Sequence, residues 1–327
     1  MSSIKEPTTI AGKKVGPVGF GLMSLSMPWK GIDHPTAAKV MKAALEQGAN
    51  FWNGGMFYGT PDNNSLHLLK YYFTTYPEDA PKVTLSIKGA YNATTHTPTG
   101  SPAAIRQSVE HALAILDGSK SIDVFEMARV DPTVPIVESV GALAELVEEG
   151  KIGGVGLSEV GERSIRAAAK VTRIAAVEIE LSLFTTEPLR NGVVAACHEL
   201  NIPIIAYSPV GRGFLTGQIQ NRPKDDPRHH LARFQPGAVF DQNMKLVEAV
   251  EQIAKRKGAS LPSVAISWVK KQGAIPLPGA SKAEQVAQNC VDVALSDEDL
   301  ADIQKVLNTF PVAGPRYGGS FEALLEG

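Results

Sequence analysis

The chain has 327 residues, of which 43% are hydrophobic and 20% charged, and its formal net charge is −2. That charge, with no basic segment interleaved with aromatic residues, argues against nucleic acid as a partner. No run approaches the ~20 apolar residues that a membrane span needs, and the first residues lack the apolar core of a secretory signal. Only Cys197 and Cys290 are present, which favours free thiols over a disulfide framework. We therefore expect a cytoplasmic protein, with the nucleus as the alternative compartment.

Short apolar segments recur along the chain and predict β-strands. Most of them are almost continuously apolar, as expected for the strands of a parallel sheet that is buried on both faces. The eight predicted strands are Val18–Leu22, Phe51–Asn53, Val83–Lys88, Ile122–Ala128, Gly154–Leu157, Ala176–Leu181, Ile202–Ser208 and Ile275–Leu277.

Stretches with helical periodicity lie between these strands. In the first of them, Ala37, Val40 and Met41 begin an apolar stripe, and Gly48 stands where a glycine ends a helix. Further stripes run over Ile105 to Leu116, Val140 to Val147, Ile165 to Val171, Val193 to Leu200 and Leu246 to Ala254. Strict alternation predicts an α/β fold, and eight units predict a closed (β/α)8 TIM barrel, which we expect to form a single domain over residues 1–327.

Three segments fall outside the repeat. Thr8–Val15, with a turn at Gly12-Lys13, predicts an N-terminal β-hairpin that closes the floor of the barrel. The polar, proline-broken stretch Gly211–Gln242 predicts a long loop over one end of the barrel. Leu300–Leu307 predicts an extra C-terminal helix, followed by a tail.

Polar residues collect where the predicted strands end. In barrels of this kind the active site is built from the loops that follow the strands, so these residues are the first candidates for chemistry. They are Asn53, Lys88, Arg129, Asp131, Ser158, Glu159, Glu180, Tyr207 and Ser208, with Gly279, Ser281 and Lys282 after the last strand.

Lys88 and Tyr58 form the most informative pair. Lys88 ends the strand Val83-Thr-Leu-Ser-Ile, and Tyr58 lies in the loop after the preceding strand. A free phenol titrates near 10, and a neighbouring ammonium stabilises the phenolate. The pair therefore indicates a tyrosine that acts as a general acid.

The segment after the last strand has two interpretations. Ser281 with Glu284 fits a capping box at the start of a helix, and the same position, with Lys282, fits a phosphate site. Trp29, in the loop after the first strand, is a candidate for the substrate pocket. His229-His230 with Asp225-Asp226 lack a third ligand of suitable spacing, so we expect no metal.

The motifs resemble those of the aldo-keto reductases nearly from end to end. The segments that carry the resemblance are Gly19-Phe-Gly21-Leu-Met-Ser, Phe51 to Gly59, Lys88-Gly, Gly150 to Ser158, Glu180-Leu-Ser-Leu, Ala206 to Gly217 and Pro276-Leu-Pro-Gly279 with Asn289. Two of the four positions that are catalytic in that family differ: the usual Asp is Asn53 and the usual His is Ala128. The Asn-Gly-Gly and Ala-Arg-Val-Asp-Pro segments are similar to the fungal pyridoxal reductase branch.

The resemblance implies NADPH-dependent reduction of a small-molecule aldehyde or ketone by hydride transfer. Tyr58 would protonate the oxygen, Lys88 would keep Tyr58 acidic, and Asn53 would hold Lys88 by a hydrogen bond. Without the carboxylate at position 53, the Tyr58 pKa should fall further. Arg129 would orient the substrate.

The resemblance also implies a set of cofactor-binding positions. These are Gly21, Ser158, Glu178, Tyr207, Ser208, Gly211, Leu215, Gly279, Ser281, Lys282, Gln285 and Asn289. Gln285 stands where an arginine often binds the 2′-phosphate, so NADPH is favoured over NADH chiefly through Lys282.

Three functions remain open at this stage, together with the oligomeric state. The first is pyridoxal reduction to pyridoxine, and the second is a broad-specificity aldehyde reductase. The third is a low-turnover, NADPH-binding regulatory subunit, which the retained Tyr58 and Lys88 disfavour.

Overall fold

The structure is a computed structural model that describes residues 8–219, 226–325 and 327. These residues contain an eight-stranded parallel sheet in which each strand pairs with the next one along the chain. The strands are β1 (Phe20–Gly21), β2 (Phe51–Gly55), β3 (Thr84–Gly89), β4 (Val124–Met127), β5 (Val155–Ser158), β6 (Ile174–Glu180), β7 (Ile204–Tyr207) and β8 (Ile275–Leu277). All eight correspond to predicted strands, so the predicted order is confirmed.

The sheet closes on itself between its first and last strands. The amide of Gly19 donates to the carbonyl of Pro276 at 2.9 Å, and the amide of Gly21 donates to that of Pro278 at 3.0 Å. Gly21 also forms a parallel bridge with Gly279. A Cβ at Gly19 would lie 2.8 Å from Leu277, so a glycine is needed for this close approach. The predicted (β/α)8 barrel is therefore confirmed.

Helices surround the barrel and cover the outer faces of its strands. Within the described residues they are α1 (Met23–Ser26), α2 (His34–Glu46), α3 (Ser65–Thr75), α4 (Pro102–Leu116), α5 (Ile136–Glu148), α6 (Glu162–Ala168), α7 (Val193–Glu199), α8 (Ala238–Arg256), α9 (Leu261–Lys271), α10 (Ala283–Cys290) and α11 (Asp297–Thr309). The predicted C-terminal helix is α11. Helix α3 has no counterpart among the predicted stripes, because its run of leucines and aromatic residues is apolar on most sides.

The N-terminal hairpin closes the floor of the barrel, as predicted. Strands Thr9–Ile10 and Lys13–Lys14 pair antiparallel, and Ile10 and Val15 pack against barrel-interior residues such as Phe51. The predicted turn position is wrong by one residue. The turn is Ala11-Gly12, where both residues have positive φ (48° and 78°), the combination that a two-residue hairpin turn requires.

The stretch after β7 differs from the predicted loop. The part 220–225 lies outside the described residues, and it includes Asp225 of the histidine–aspartate cluster. Before it, Phe214 and Leu215 are fully buried, and after it the ring of Phe234 packs at a tilt against that of Phe214, with ring centroids 4.5 Å apart. Helix α8 has already begun at position 238. Aromatic packing thus makes both flanks of this segment part of the core.

Within the described residues, no helix combines the length and apolar character that crossing a membrane requires.

The floor packing predicts the effect of truncating Ile10. Ile10→Ala removes fully buried methyl groups from the closed end of the barrel, so we expect the free energy of unfolding to fall by about 2–4 kcal/mol. Lys14→Ala, on the exposed side of the same hairpin, is the control and should change it by less than about 0.5 kcal/mol. Urea denaturation of both variants measures the difference. Equal losses would show that the hairpin does not act as a plug.

Candidate active site

The carboxyl ends of the strands bring most of the predicted site residues to one end of the barrel. Cross-strand pairing places Lys88 beside Glu126, Ser158 beside Glu178 and Glu180 beside Tyr207. Residues in such pairs are separated by one inter-strand spacing, so their side chains share the barrel interior or its rim.

The loop after β2 folds Tyr58 back over the strand end. The amide of Tyr58 donates to the carbonyl of Gly55 at 3.1 Å, and a Cβ at Gly55 would lie only 3.1 Å from the Tyr58 ring. Ser65 holds this strand end, because its hydroxyl bonds both the amide and the carbonyl of Gly55 at 2.8 Å. The glycines of the Asn-Gly-Gly segment therefore serve to position the phenol.

Lys88 lies at the centre of the site, with its side chain only 6% exposed. Its ammonium donates to the Tyr58 hydroxyl and to the Asn53 amide oxygen, each at 3.3 Å. The same ammonium forms an ion pair with Glu178 and lies 5.4 Å from the ring centre of Tyr207. The expected Lys88–Tyr58 and Lys88–Asn53 contacts are both present, and Glu178 is an ionic partner that the sequence did not indicate.

The expected direction of the Tyr58 pKa is wrong. Burial raises the pKa of the phenol above its usual value of 10, and the charge of Glu178 adds to that effect, while Lys88 opposes both. Glu178 supplies the counter-charge for Lys88 that the neutral Asn53 does not. Tyr58 therefore stays protonated near neutral pH, which is the form that can donate a proton.

Glu126 is a further buried carboxyl that sequence analysis did not select. It is fully buried and accepts hydrogen bonds from Asn53 Nδ2 at 3.1 Å and from the Ser86 hydroxyl. Burial and the neighbouring Glu178 raise the pKa of Glu126 to about 8. The available signal was a lone charged residue inside the apolar strand Val-Phe-Glu-Met.

A second cluster lies at the rim, between β5, β6 and the C-terminal tail. Glu180 forms ion pairs with Arg212 and Arg316, and these two arginines, against the opposing effect of burial, lower its pKa to about 2. Arg316 also pairs with Glu159 at 2.9 Å. The Tyr207 hydroxyl lies 3.0 Å from that of Tyr317. Arg316 and Tyr317 come from the tail, and no sequence motif marks them.

Arg129 and Trp29 both lie at the mouth of the barrel. The Arg129 Nη1 donates to the carbonyl of Ala128 at 2.5 Å, and its guanidinium interacts electrostatically with Tyr207 and Tyr58. Trp29 lies in the turn Pro28–Lys30 after β1 and is 51% exposed. Their roles toward a substrate stay predictions.

The loop after β7 contains three of the predicted cofactor positions. Ser208 and Gly211 both have positive φ, at 52° and 58°, and the Gly211 amide donates to the Ser208 carbonyl. Leu215 is fully buried and its amide donates to the Val210 carbonyl, and its role along the pyrophosphate stays a prediction.

Of the two interpretations of the segment after β8, the capping box is wrong. Helix α10 begins at Ala283 with Lys282 as its N-cap, and no side chain caps it. Ser281 instead bonds Gln285, whose Oε1 accepts from the Ser281 amide at 2.9 Å and from its hydroxyl at 3.2 Å. Asn289 donates weakly to the carbonyl of Gly279 at 3.5 Å, next to Gly21. The segment from Ser281 through α10 therefore carries the positions expected at an adenosine end.

Ser158 offers an observation that points to a ligand. Its side chain is fully buried at the end of β5, and within the described residues nothing bonds its hydroxyl. Buried hydroxyl groups nearly always have a partner, so a polar ligand group is expected beside it. The class of protein is therefore a barrel enzyme, with a phenol and ammonium poised for proton transfer next to a place for a polar cofactor group.

Comparisons with known proteins agree with this class. The family model for the aldo/keto reductase family matches residues 17–308. "Probable pyridoxal reductase 2" of Schizosaccharomyces pombe is 40% identical over 97% of this chain and 99% of that relative. "Putative pyridoxal reductase" of Saccharomyces cerevisiae is 37% identical over 91% of this chain and 95% of that one. The barrel is also similar to the glycerol dehydrogenase of Gluconobacter oxydans, with a TM-score of 0.82, 24% identity, and coverage of 94% and 97% of the two chains.

The chain belongs to the aldo/keto reductase family, and it is an oxidoreductase that acts on carbonyl groups.

The raised pKa of Glu126 predicts a pH-dependent stability. A carboxyl group that holds its proton more tightly in the folded state stabilises the fold fully below its unfolded pKa, near 4.3, and loses that contribution as the pH rises through about 8. Glu126→Gln should remove this dependence, which amounts to at most about 1.4 kcal/mol per pH unit. Denaturation from pH 5 to 8 compares the variant with the parent.

Glu149→Gln is the matched control. Hydrogen bonds from Arg106 and Lys151 lower the pKa of this exposed carboxyl to about 2, so it does not titrate between pH 5 and 8. Identical slopes for the parent and Glu126→Gln would show that Glu126 is already ionised in the folded protein.

Proposed function

We propose that the protein is an NADPH-dependent reductase of aldehydes and ketones, and that pyridoxal, reduced to pyridoxine, is its substrate. The catalytic role of Tyr58 is supported by the Lys88 ammonium, which lies 3.3 Å from the Tyr58 hydroxyl at the carboxyl ends of the barrel strands. The substrate is supported by the two relatives named "Probable pyridoxal reductase 2" and "Putative pyridoxal reductase", which are 40% and 37% identical to this chain.

The residues present fit a nicotinamide cofactor. Ser158 has a buried hydroxyl without a partner, which suits the carboxamide, and the face of Tyr207 lies beside Lys88, which suits the ring. Glu178, expected at the carboxamide, is engaged by Lys88, so we assign the carboxamide to Ser158 alone. Ser208 and Gly211 would lie along the pyrophosphate. Lys282, with Ser281, Gln285 and Asn289, would hold the adenosine end, near Gly21 and Gly279.

When bound, the reduced nicotinamide supplies a hydride to the carbonyl carbon of the substrate. Tyr58 donates its phenolic proton to the carbonyl oxygen, and this donor is protonated and neutral at rest because burial keeps the Tyr58 pKa high. The Lys88 ammonium donates to the phenol oxygen and stabilises the negative charge that develops there as the proton leaves. Asn53 fixes the ammonium on its other side.

Arg129 is the group that we assign to substrate orientation. Its guanidinium is largely buried and shares the mouth of the barrel with Tyr58 and Tyr207, where the family's histidine is replaced by Ala128. Pyridoxal carries an acidic ring hydroxyl next to its aldehyde, and a fixed guanidinium suits such an oxygen. Trp29 would contribute an apolar rim.

We also propose that residues 1–327 act as a single domain in a reducing compartment, the cytoplasm or the nucleus. Cys197 and Cys290 are free thiols, and burial raises the pKa of Cys197 to about 12, which keeps that thiol unreactive.

Tyr58→Phe tests the proton donor. We expect NADPH oxidation with an aldehyde to fall by about 10²–10⁴-fold, because the general acid is lost, while NADPH still binds. Tyr71→Phe, which removes a phenol hydroxyl from α3 away from the site, should retain the activity of the parent. Stopped-flow absorbance measures turnover and fluorescence titration measures binding. Full activity of Tyr58→Phe would exclude the assignment.

A comparison of two aldehydes tests the substrate. We expect kcat/KM for pyridoxal to exceed that for nitrobenzaldehyde by at least about tenfold, since an oriented polar contact is worth about 1.4 kcal/mol or more. Equal values would identify a broad-specificity aldehyde reductase, and negligible turnover with tight NADPH binding would identify a regulatory subunit.

Lys282→Ala tests the cofactor preference. Removing one ammonium from the 2′-phosphate should raise KM for NADPH about tenfold and leave KM for NADH nearly unchanged. Lys271→Ala, at the exposed end of α9, is the control for loss of a surface charge. An equal effect on both cofactors would place Lys282 away from the 2′-phosphate.

A further inference from the structure

Two buried carboxyl groups lie beneath the reactive tyrosine, where only one ammonium faces them among the described residues. Glu126 and Glu178 are each completely buried, on β4 and β6. Lys88 pairs with Glu178, and the position where a carboxylate is expected, 53, carries a neutral amide. The carboxylate that pairs with Lys88 therefore comes from β6 and not from position 53 on β2.

The intervening strand β5 makes room for this arrangement. Gly156 lies opposite Glu126 in the sheet, and a Cβ at Gly156 would lie only 2.4 Å from the Glu126 Cγ. The absence of a side chain at Gly156 leaves room for Glu126 in the barrel interior, where the neighbouring Glu178 adds to burial in raising the Glu126 pKa. The glycine thus has a steric role in bringing the two carboxyl groups together.

Within the described residues, the hydrogen-bond pattern leaves one oxygen of each carboxyl group available for a shared proton. Glu126 Oε1 accepts from Asn53 and Ser86, and Glu178 Oε1 accepts from Lys88. The other oxygen of each carboxyl, Oε2, receives no donor within the described residues. Two carboxylates cannot bond each other, whereas a carboxylic acid and a carboxylate can. A single proton also reduces the cluster to one negative charge facing one positive charge, which a dry interior favours.

We propose that Glu178 is the counter-ion of Lys88 in place of the family's aspartate, and that Glu126 holds a proton that it shares with Glu178. This inference rests on the proposed function, in which Tyr58 is the proton donor. Both glutamates act as positioning residues, because they reach the substrate only through Lys88 and Tyr58. Their combined charge determines how strongly Lys88 draws Tyr58 toward the phenolate.

The charged and titratable groups around the pair are the ones already described. Glu126 faces Glu178 and Lys88, with the neutral Ser86 and Asn53 as hydrogen-bond donors. Tyr58 faces Lys88 first, and then Glu178 and Glu126. Loss of the shared proton adds a negative charge to this set, while loss of Glu178 leaves the Lys88 charge without its partner.

Tyrosinate absorbance, measured against pH on the protein without cofactor, tests the counter-ion. Glu178→Gln should lower the pH at which Tyr58 ionises by at least about one unit, because Lys88 is no longer neutralised. The signal is assigned to Tyr58 by its absence in Tyr58→Phe/Glu178→Gln. An unchanged titration in folded Glu178→Gln would overturn the proposal.

The double variant Asn53→Asp/Glu178→Gln returns the carboxylate to the position that it has in the family. We expect it to restore the Tyr58 titration most of the way to that of the parent, which a merely structural role of Glu178 would not do. If Glu178→Gln alone does not fold but the double variant folds and titrates like the parent, the counter-ion role is supported. If neither folds, or the double variant does not restore the titration, the relocation of the charge is wrong.

Infrared difference spectra test the shared proton. At pH 7 we expect a carboxylic acid C=O band in the parent that is missing in Glu126→Gln, retained in Glu149→Gln, and lost as the pH rises above about 8. Absence of this band in the parent at pH 7 would overturn the shared proton. Neither the tyrosinate titration nor the infrared spectra depend on turnover. The proposed function can therefore fail in the Tyr58→Phe assay while this inference holds, and this inference can fail while the proposed function holds.

Discussion

The ammonium of Lys88, buried inside the barrel, is the constraint on which the site depends. An ammonium withdrawn from water is costly unless a negative group lies against it, and the interior of a closed barrel offers no water to take that role. Asn53 accepts a hydrogen bond from this lysine and so helps to orient it, but its amide carries no charge. The ion pair with Glu178 supplies the charge, so the pairing partner comes from β6 and not from β2. The substitution at position 53 is therefore compensated within the same layer of side chains.

The N-terminal hairpin and the C-terminal tail pack at opposite ends of this layer of side chains. Below it, Ile10 and Val15 of the hairpin pack against the apolar floor. Above it, the tail places Arg316 and Tyr317 against Tyr207 at the rim. Electrostatic interactions are strong in such an enclosed place, which is why a single additional negative charge has a large effect on the phenol. The hairpin and the tail therefore help to enclose the site, although neither carries a residue that we assign to the reaction.

Buried glutamates at the rim and in the interior of the barrel have different charged neighbours. At the rim, Glu180 faces two arginines, so it remains ionised even though it is buried. In the interior, Lys88 pairs with Glu178, and burial together with that neighbouring carboxylate raises the pKa of Glu126 to about 8. Identical side chains thus have their pKa values shifted in opposite directions according to the charges around them.

Much of the fold and part of the site could be predicted from the chain. The eight strands can be recognised because burial on both faces requires continuous apolar segments. The loop that carries Tyr58 can be recognised because its glycines and its tyrosine lie next to each other in the sequence. The turn at Ala11-Gly12, the partnership of Ser281 with Gln285 and the burial of Phe214 were not predicted. Each depends on a neighbour that lies elsewhere in space or on a one-residue register, which local patterns do not specify.

The sequence alone determined the alternation of strands and helices, the closed barrel, and the meeting of Tyr58 with Lys88, since successive parallel strands must end side by side. Only the tertiary structure decided which carboxyl group neutralises Lys88, because Glu178 and Lys88 are separated by 90 positions and meet across the barrel. It likewise decided the direction of the Tyr58 pKa. That direction is a sum of burial and of every nearby charge, and neither can be counted until the chain has closed around the phenol.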